Sequence, residues 1–145
     1  MKRISILLFL CIFIFTSCSE SRDPTEGVTE FVLAYGARGI VYSTSCVEGE
    51  DGYITADIEK AFFGNNEPPK NYAIFLNTHL DYASECGAFL VEGDRNSLLS
   101  ICQRRVKLLD PDGNRSFIVV YKDTVFYSTM SDKDKAKKLA DIVFQ

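Results

Sequence analysis

Apolar positions fall along this chain at two spacings, and one block fits neither. The block is positions 4–15, apolar at eleven of twelve places. Beyond it, Val28, Phe31, Val32 and Tyr35 recur at i, i+3, i+4 and i+7, which predicts an amphipathic helix. Asp23 or Thr25 is placed to cap it, Pro24 suits a first helical turn, and Gly36 and Gly39 weaken its far end. Positions 40–42 continue that helix or begin an extended piece. The run 48–52 (EGEDG) reads as a loop. A short helix is expected from Thr55, with Ile58, Ala61 and Phe62 on one side and Gly64 as its stop. Pro68 and Pro69 bar helix in the stretch after it. Residues 72–76 (YAIFL) and 86–91 (CGAFLV) are short apolar runs suited to buried strands, with His79 and Asp81 in the loop between them.

The clearest helix follows. Leu98, Leu99, Cys102, Val106 and Leu109 form one stripe, and Asp94 or Asn96 precedes it as a cap. Residues 110–114 (DPDGN) stop the helix and turn the chain. Residues 116–129 (SFIVVYKDTVFYST) read as a β-hairpin about Lys122-Asp123. In that register Val120 opposes Val125 and Ile118 opposes Tyr127, while Phe117, Val119, Tyr121 and Phe126 share the other face. Both faces are apolar and both need cover, from helices, other parts of the chain or a second subunit. Ala136, Leu139, Ala140 and Val143 give a final helix, with Ser131 and Asp134 resembling a capping box. Strands, a helix, a hairpin and a helix in succession predict one α+β domain, with a mainly antiparallel sheet, a C-terminal β-hairpin and helices packed on the sheet.

The apolar block is too short for a bilayer span, which takes about 20 residues. Lys2 and Arg3 precede it, and Phe15-Thr16-Ser17 leads small residues into Cys18. This resembles a bacterial lipoprotein signal peptide, with Phe15 where Leu is usual three places before the cysteine. The resemblance implies that residues 1–17 are removed. It also implies that Cys18 is acylated and becomes the mature N-terminus, two acyl chains giving a stable anchor. Ordinary secretion and an uncleaved anchor are the competing readings. Residues 18–27 then form the acylated cysteine and a polar tether, and 28–145 the domain. The nine tether residues after Cys18 reach roughly 30 Å when extended. The expected location is the cell membrane or outer membrane, lipid-anchored and facing outside the cytoplasm.

Charge supports only some partners. Loss of residues 1–17 removes two of 16 basic residues and none of 20 acidic ones, leaving a net charge of −6. Nucleic acid is excluded as a partner, because phosphate binding needs clustered Lys and Arg. Three cysteines remain in the domain, Cys46, Cys86 and Cys102, allowing at most one disulfide in three pairings. Small core thiols are the plainer reading for Cys86 and Cys102.

From about Thr55 onward the layout resembles a family of small uncharacterised lipoproteins, mostly from Firmicutes, with a domain of unknown function. The features that carry this are the helix ending Phe62-Phe63-Gly64 and Glu85 leading the apolar run 86–91. The capped helix with Arg104-Arg105, the apolar hairpin and the short last helix complete the likeness. Cys86, Cys102 and the tyrosine-rich hairpin depart from the family pattern. The resemblance implies a lipid-anchored extracytoplasmic domain and carries over no catalytic residue.

Candidate chemistry is sparse. His79 is the only histidine; with Asp81 and Cys86 it would make a nucleophilic pair only if the fold brought them together. No paired metal spacing occurs, and residues 110–114 lack the third ligand and closing Glu of a calcium loop. No catalytic motif, cofactor site or metal site is read. The expectation is a noncatalytic domain that binds an envelope protein or other envelope component while the lipid holds it to the membrane. Its candidate surface is Arg104, Arg105 and Lys107 on the polar helix face together with Phe117, Val119, Tyr121 and Phe126 on the hairpin. The alternative is a small-ligand binding lipoprotein, a solute-receptor accessory, with Tyr35, Tyr72, Tyr82 and Arg104 as pocket candidates.

Overall fold

The computed structural model describes residues 21–78 and 84–145. Residues 1–17, Cys18, His79, Asp81 and Tyr82 lie outside that range, and with them the lipidation site and the histidine pair.

Helix α1 (Pro24–Tyr35) begins where Asp23 accepts a hydrogen bond from the Thr25 backbone N–H at 3.1 Å. Of the two caps expected, Asp23 serves, and Pro24 takes the first helical position. Gly36 ends the helix at φ 79°, a left-handed conformation that glycine adopts without strain. The ambiguous stretch after it is strand β1 (Gly39–Ser43). Helix α2 (Ala56–Phe63) is capped by Thr55 and followed by β2 (Tyr72–Asn77) and β3 (Glu85–Leu90). Helix α3 (Arg95–Leu109) is capped by Asp94. The hairpin is β4 (Phe117–Tyr121) and β5 (Thr124–Ser128). Helix α4 (Lys133–Leu139) starts at Asp132, whose carboxylate accepts from the Lys135 N–H at 2.9 Å, in place of the Ser131–Asp134 box. A 3-10 turn (Ala140–Phe144) closes the chain.

The five strands form one antiparallel sheet in the order β1-β2-β3-β5-β4, within a single α+β domain. Side chains alternate between its faces. On one face Ala73, Phe75, Cys86, Ala88 and Phe126 meet Val28, Phe31 and Val32 of α1 and Ala136 and Val143 of the C-terminal segment. On the other, Tyr72, Ile74, Phe89, Val125 and Tyr127 meet Phe62 and Phe63 of α2 and Leu98, Ile101 and Cys102 of α3. The central strands are apolar at successive positions because helices cover both faces. Cys86 and Cys102 lie on opposite sides of the sheet, and all three domain cysteines are free thiols.

The hairpin has the expected register: Val120 pairs with Val125 and Ile118 with Tyr127. Both faces of β5 are covered within the chain. Phe126 packs edge-on to Phe31 of α1 with ring centres 5.1 Å apart, and Tyr127 lies among the α2 and α3 side chains. The second apolar face is covered by the N-terminal helix together with the C-terminal segment. Phe126 is fully buried and offers a partner no surface. Exposed apolar side chains remain on the outer strand, at Val120 (40%) and Tyr121 (49%).

Candidate functional site

The polar centre of the domain is Glu85. It opens β3 and pairs with Leu76 on β2, and its side chain points to the α3 face. Only 3% of the residue is exposed. A carboxylate so placed needs a counter-charge and hydrogen bonds, because burying it unpaired is costly. Arg105 of α3 supplies both. Its Nε donates to Oε1 at 2.8 Å and its Nη2 to Oε2 at 2.5 Å, a bidentate fork. The Tyr127 hydroxyl donates a third hydrogen bond to Oε1. The Arg105 guanidinium also lies over the Phe62 ring, 5.5 Å from its centre. The hydrogen bond to Glu85 raises the Arg105 pKa against the opposing effect of burial. Burial, then the charge of Glu85 and its hydrogen bond, push the Tyr127 hydroxyl well above its ordinary value.

The network corrects one expectation. Arg105 is not a solvated charge on the outer face of α3; it reaches inward and is neutralised by Glu85. Arg104 and Lys107 are exposed. The network also holds a residue that sequence reasoning missed. Glu85 reads as the polar step before an apolar run, and nothing local marks it as buried. The pairing was legible only as a carboxylate at a strand start with two arginines on a later helix.

Alongside α3 runs a groove. Its first part, 390 Å³, lies between the 66–70 loop, the 91–94 loop and the start of α3 at Ser97 and Leu98. Its second part, 460 Å³, continues past Phe62, Phe63 and Gly64 of α2 to Arg104, Arg105 and Leu108. Asn66 and Ile101 line both parts, so the two adjoin. From Ser97 to Leu108 the helix rises about 16 Å. Carboxylates of Glu67, Glu92 and Asp94 stand at the first end, where Lys70 bridges Glu92 at 3.4 Å. Arg104 and the apolar Leu108, 70% exposed, stand at the other. Lys107 lines neither part.

The other candidates are scattered. Phe117 is partly buried against the α1 side, and Val119 is partly buried beside it on β4. The Tyr35 hydroxyl accepts from the Asp132 N–H at 2.8 Å and so joins α1 to the start of α4. Tyr72 is buried and donates to Glu59 Oε1 at 3.1 Å. Of the pocket candidates within the described residues, only Arg104 lines the groove. Among the described residues no cluster of three or more His, Cys, Asp or Glu side chains is placed to hold a metal ion. No described helix is long and apolar enough to cross a membrane. The chain matches no family model, no curated protein and no solved structure.

Proposed function

We propose that the protein is a lipid-anchored extracytoplasmic domain, acylated at Cys18 and noncatalytic, that binds an envelope protein through the groove along α3. The observation that carries this is Leu108. It is a large apolar side chain left 70% exposed on a helix, in the same cleft as the exposed cation Arg104. An apolar side chain beside a fixed charge is the composition of an interface anchor. The groove length matches about five residues of extended chain. Its acidic first end and basic far end would orient a segment basic at one end and acidic at the other. The hairpin adds nothing to this reading, since both faces of β5 are covered inside the domain and no residue of β4 lines the groove. A crosslinked pull-down from membranes with the lipidated protein tests it. The expected result is a partner lost on Leu108→Asp or Arg104→Glu, with thermal unfolding unchanged. Retention of the same partners by both variants overturns the groove as the site.

A second reading rests on the first part of the groove. Its 390 Å³ falls within the range of small-molecule sites. Native mass spectrometry of the protein purified from its own membranes, showing a retained small molecule lost on Ser97→Trp, would favour it.

A further inference from the structure

The two edges of the sheet are finished differently. On β1 a loop closes over the outward backbone at Val41 and Ser43. Tyr72 O accepts from the Thr44 N–H, so even-numbered residues there face β2 and odd-numbered ones face out. Ser43 N–H then donates to Gly52 O at 2.9 Å, and Gly52 sits so close to Val41 O that a Cβ would lie 2.3 Å from it. The 46–53 loop thus caps that edge. Among the described residues no such cap covers β4. Thr129 N–H donates to Glu85 O and Val91 N–H to Asp123 O, which turns the odd-numbered backbone of β5 toward β3. The even-numbered backbone of β5 must then face β4, and the register pairs Phe126 with Val119 and Thr124 with Tyr121. The N–H and C=O groups of Ile118 and Val120 therefore point away from the sheet, and among the described residues no strand pairs with them.

Natural edges are usually blunted by a charge, a proline or a bulge. Residues 116–121 (SFIVVY) contain no charge, proline or glycine. We infer that β4 is a self-association edge, pairing antiparallel with β4 of a second copy of this chain about a two-fold axis at Val119. The register is fixed by parity and chemistry. Outward residues must oppose outward residues, which leaves Ile118 facing Ile118, Ile118 facing Val120, or Val120 facing Val120. Only the middle choice sets Phe117 across from Tyr121 of the second copy, an aromatic pair that covers the exposed tyrosine. In the other two, Val119 falls opposite Phe117 or opposite Tyr121, and no aromatic pair forms. The inference is independent of the groove, which lies beside α3, so either can fail alone.

The test is disulfide capture in membranes with the full chain carrying Cys46→Ser. Val119 meets itself across a non-hydrogen-bonded pair, with Cα atoms about 4.5 Å apart, inside the span a disulfide tolerates. Val120 meets Ile118 instead. Val119→Cys is expected to give a species of twice the chain mass on mild oxidation, and Val120→Cys to give little. Adding Val120→Pro to Val119→Cys is expected to abolish the dimer with unchanged circular dichroism, because the N–H removed is an outward one. If that variant misfolds, Val120→Lys, at a position already 40% exposed, takes its place. Absence of the Val119→Cys dimer, equal capture at 119 and 120, or an adduct of any other mass at 119 overturns the inference.

Discussion

Glu85, Arg105 and Tyr127 form a buried ionic group that links sheet to helix, and its members are unequal. The side chain of Glu85 is 4% exposed and that of Arg105 is 22% exposed. Truncating Arg105 leaves a carboxylate with no counter-charge and no access to water. Truncating Glu85 leaves a guanidinium that can turn outward. Arg105→Ala is therefore expected to cost about 3–5 kcal/mol in urea unfolding, and Glu85→Gln about 1–2 kcal/mol. Equal costs for the two would show that the asymmetry of burial does not matter. Tyr127 and Tyr72 make a separate prediction. Burial first, then the charge and hydrogen bond of Glu85 and Glu59 respectively, raise both hydroxyls. Below roughly pH 10 tyrosine is neutral whether the chain is folded or not, and this contribution is complete. Above it the unfolded chain releases protons that the folded chain retains, so stability falls by about 1.4 kcal/mol per pH unit for each tyrosine. The Cys86 thiol, raised by burial and the Glu85 charge, and that of Cys102, pushed up to about 12 mainly by burial, start the same loss somewhat lower. Urea midpoints measured from pH 9 to 11 should fall, and the fall should be shallower in Tyr72→Phe and Tyr127→Phe. An unchanged slope in the double variant would remove the tyrosines from the account. None of this was visible in the sequence, because a residue's burial across a sheet depends on a helix twenty residues away.

Elements were more legible than their contacts. The stripe on α3, the stop at Gly64 and the hairpin register follow from spacing alone, since a helical face and a pleated face repeat at fixed intervals. What spacing cannot supply is which helix covers which face. α1 carries the decisive detail in Gly27. In a sequence, a glycine inside a helix reads as a weak point, and Ala there should gain about 1 kcal/mol. In the fold, a Cβ at Gly27 would stand 2.8 Å from the Val143 carbonyl oxygen, where α1 crosses the C-terminal 3-10 turn. The obstacle is backbone and cannot rotate aside. Overpacking of that kind costs about 1–3 kcal/mol, so it outweighs propensity. Gly27→Ala is thus expected to lower the melting temperature. A rise would mean that the C-terminal turn yields more readily than a packed element should. Asp110 shows the same dependence at the entrance to β4. Its carboxylate accepts from the Arg115 and Ser116 N–H groups at 2.9 and 2.8 Å, and so sets the turn that the DPDGN pattern only announced. Burial alone would raise its pKa, but hydrogen bonds from Ser116 and Arg115 and the Arg115 charge lower it.

For the whole molecule, the proposed anchor and the fold make a joint demand. Asp23 caps α1 five residues after Cys18, and Arg22 is tied to the C-terminal turn by a hydrogen bond to Ile142 O and to α1 by an ion pair with Glu30 at 2.6 Å. Part of the tether expected over 18–27 is therefore built into the domain: Pro24 and Gly27 are buried. On the proposed reading at most residues 18–21 lie between the acyl group and the domain, a reach of at most about 13 Å, less than half the stand-off that nine free residues allow. The domain would then sit close to the headgroups, and a net charge of −6 would press against anionic lipid unless its acidic face turned away. Lipid attachment and a short link would together hold the domain to a shallow layer and so raise its effective concentration for partners and for second copies. Two measurements separate the parts of this account. Cys18→Ala should release the protein from membranes, and continued retention would overturn acylation as the anchor. Inserting eight Gly-Ser residues after Glu20 should leave attachment intact while moving a fluorophore at the exposed Leu33 away from the bilayer, read by quenching from headgroup-labelled lipid. If quenching is already weak without the insertion, residues 22–27 come free of the domain at the membrane and the close seat is wrong.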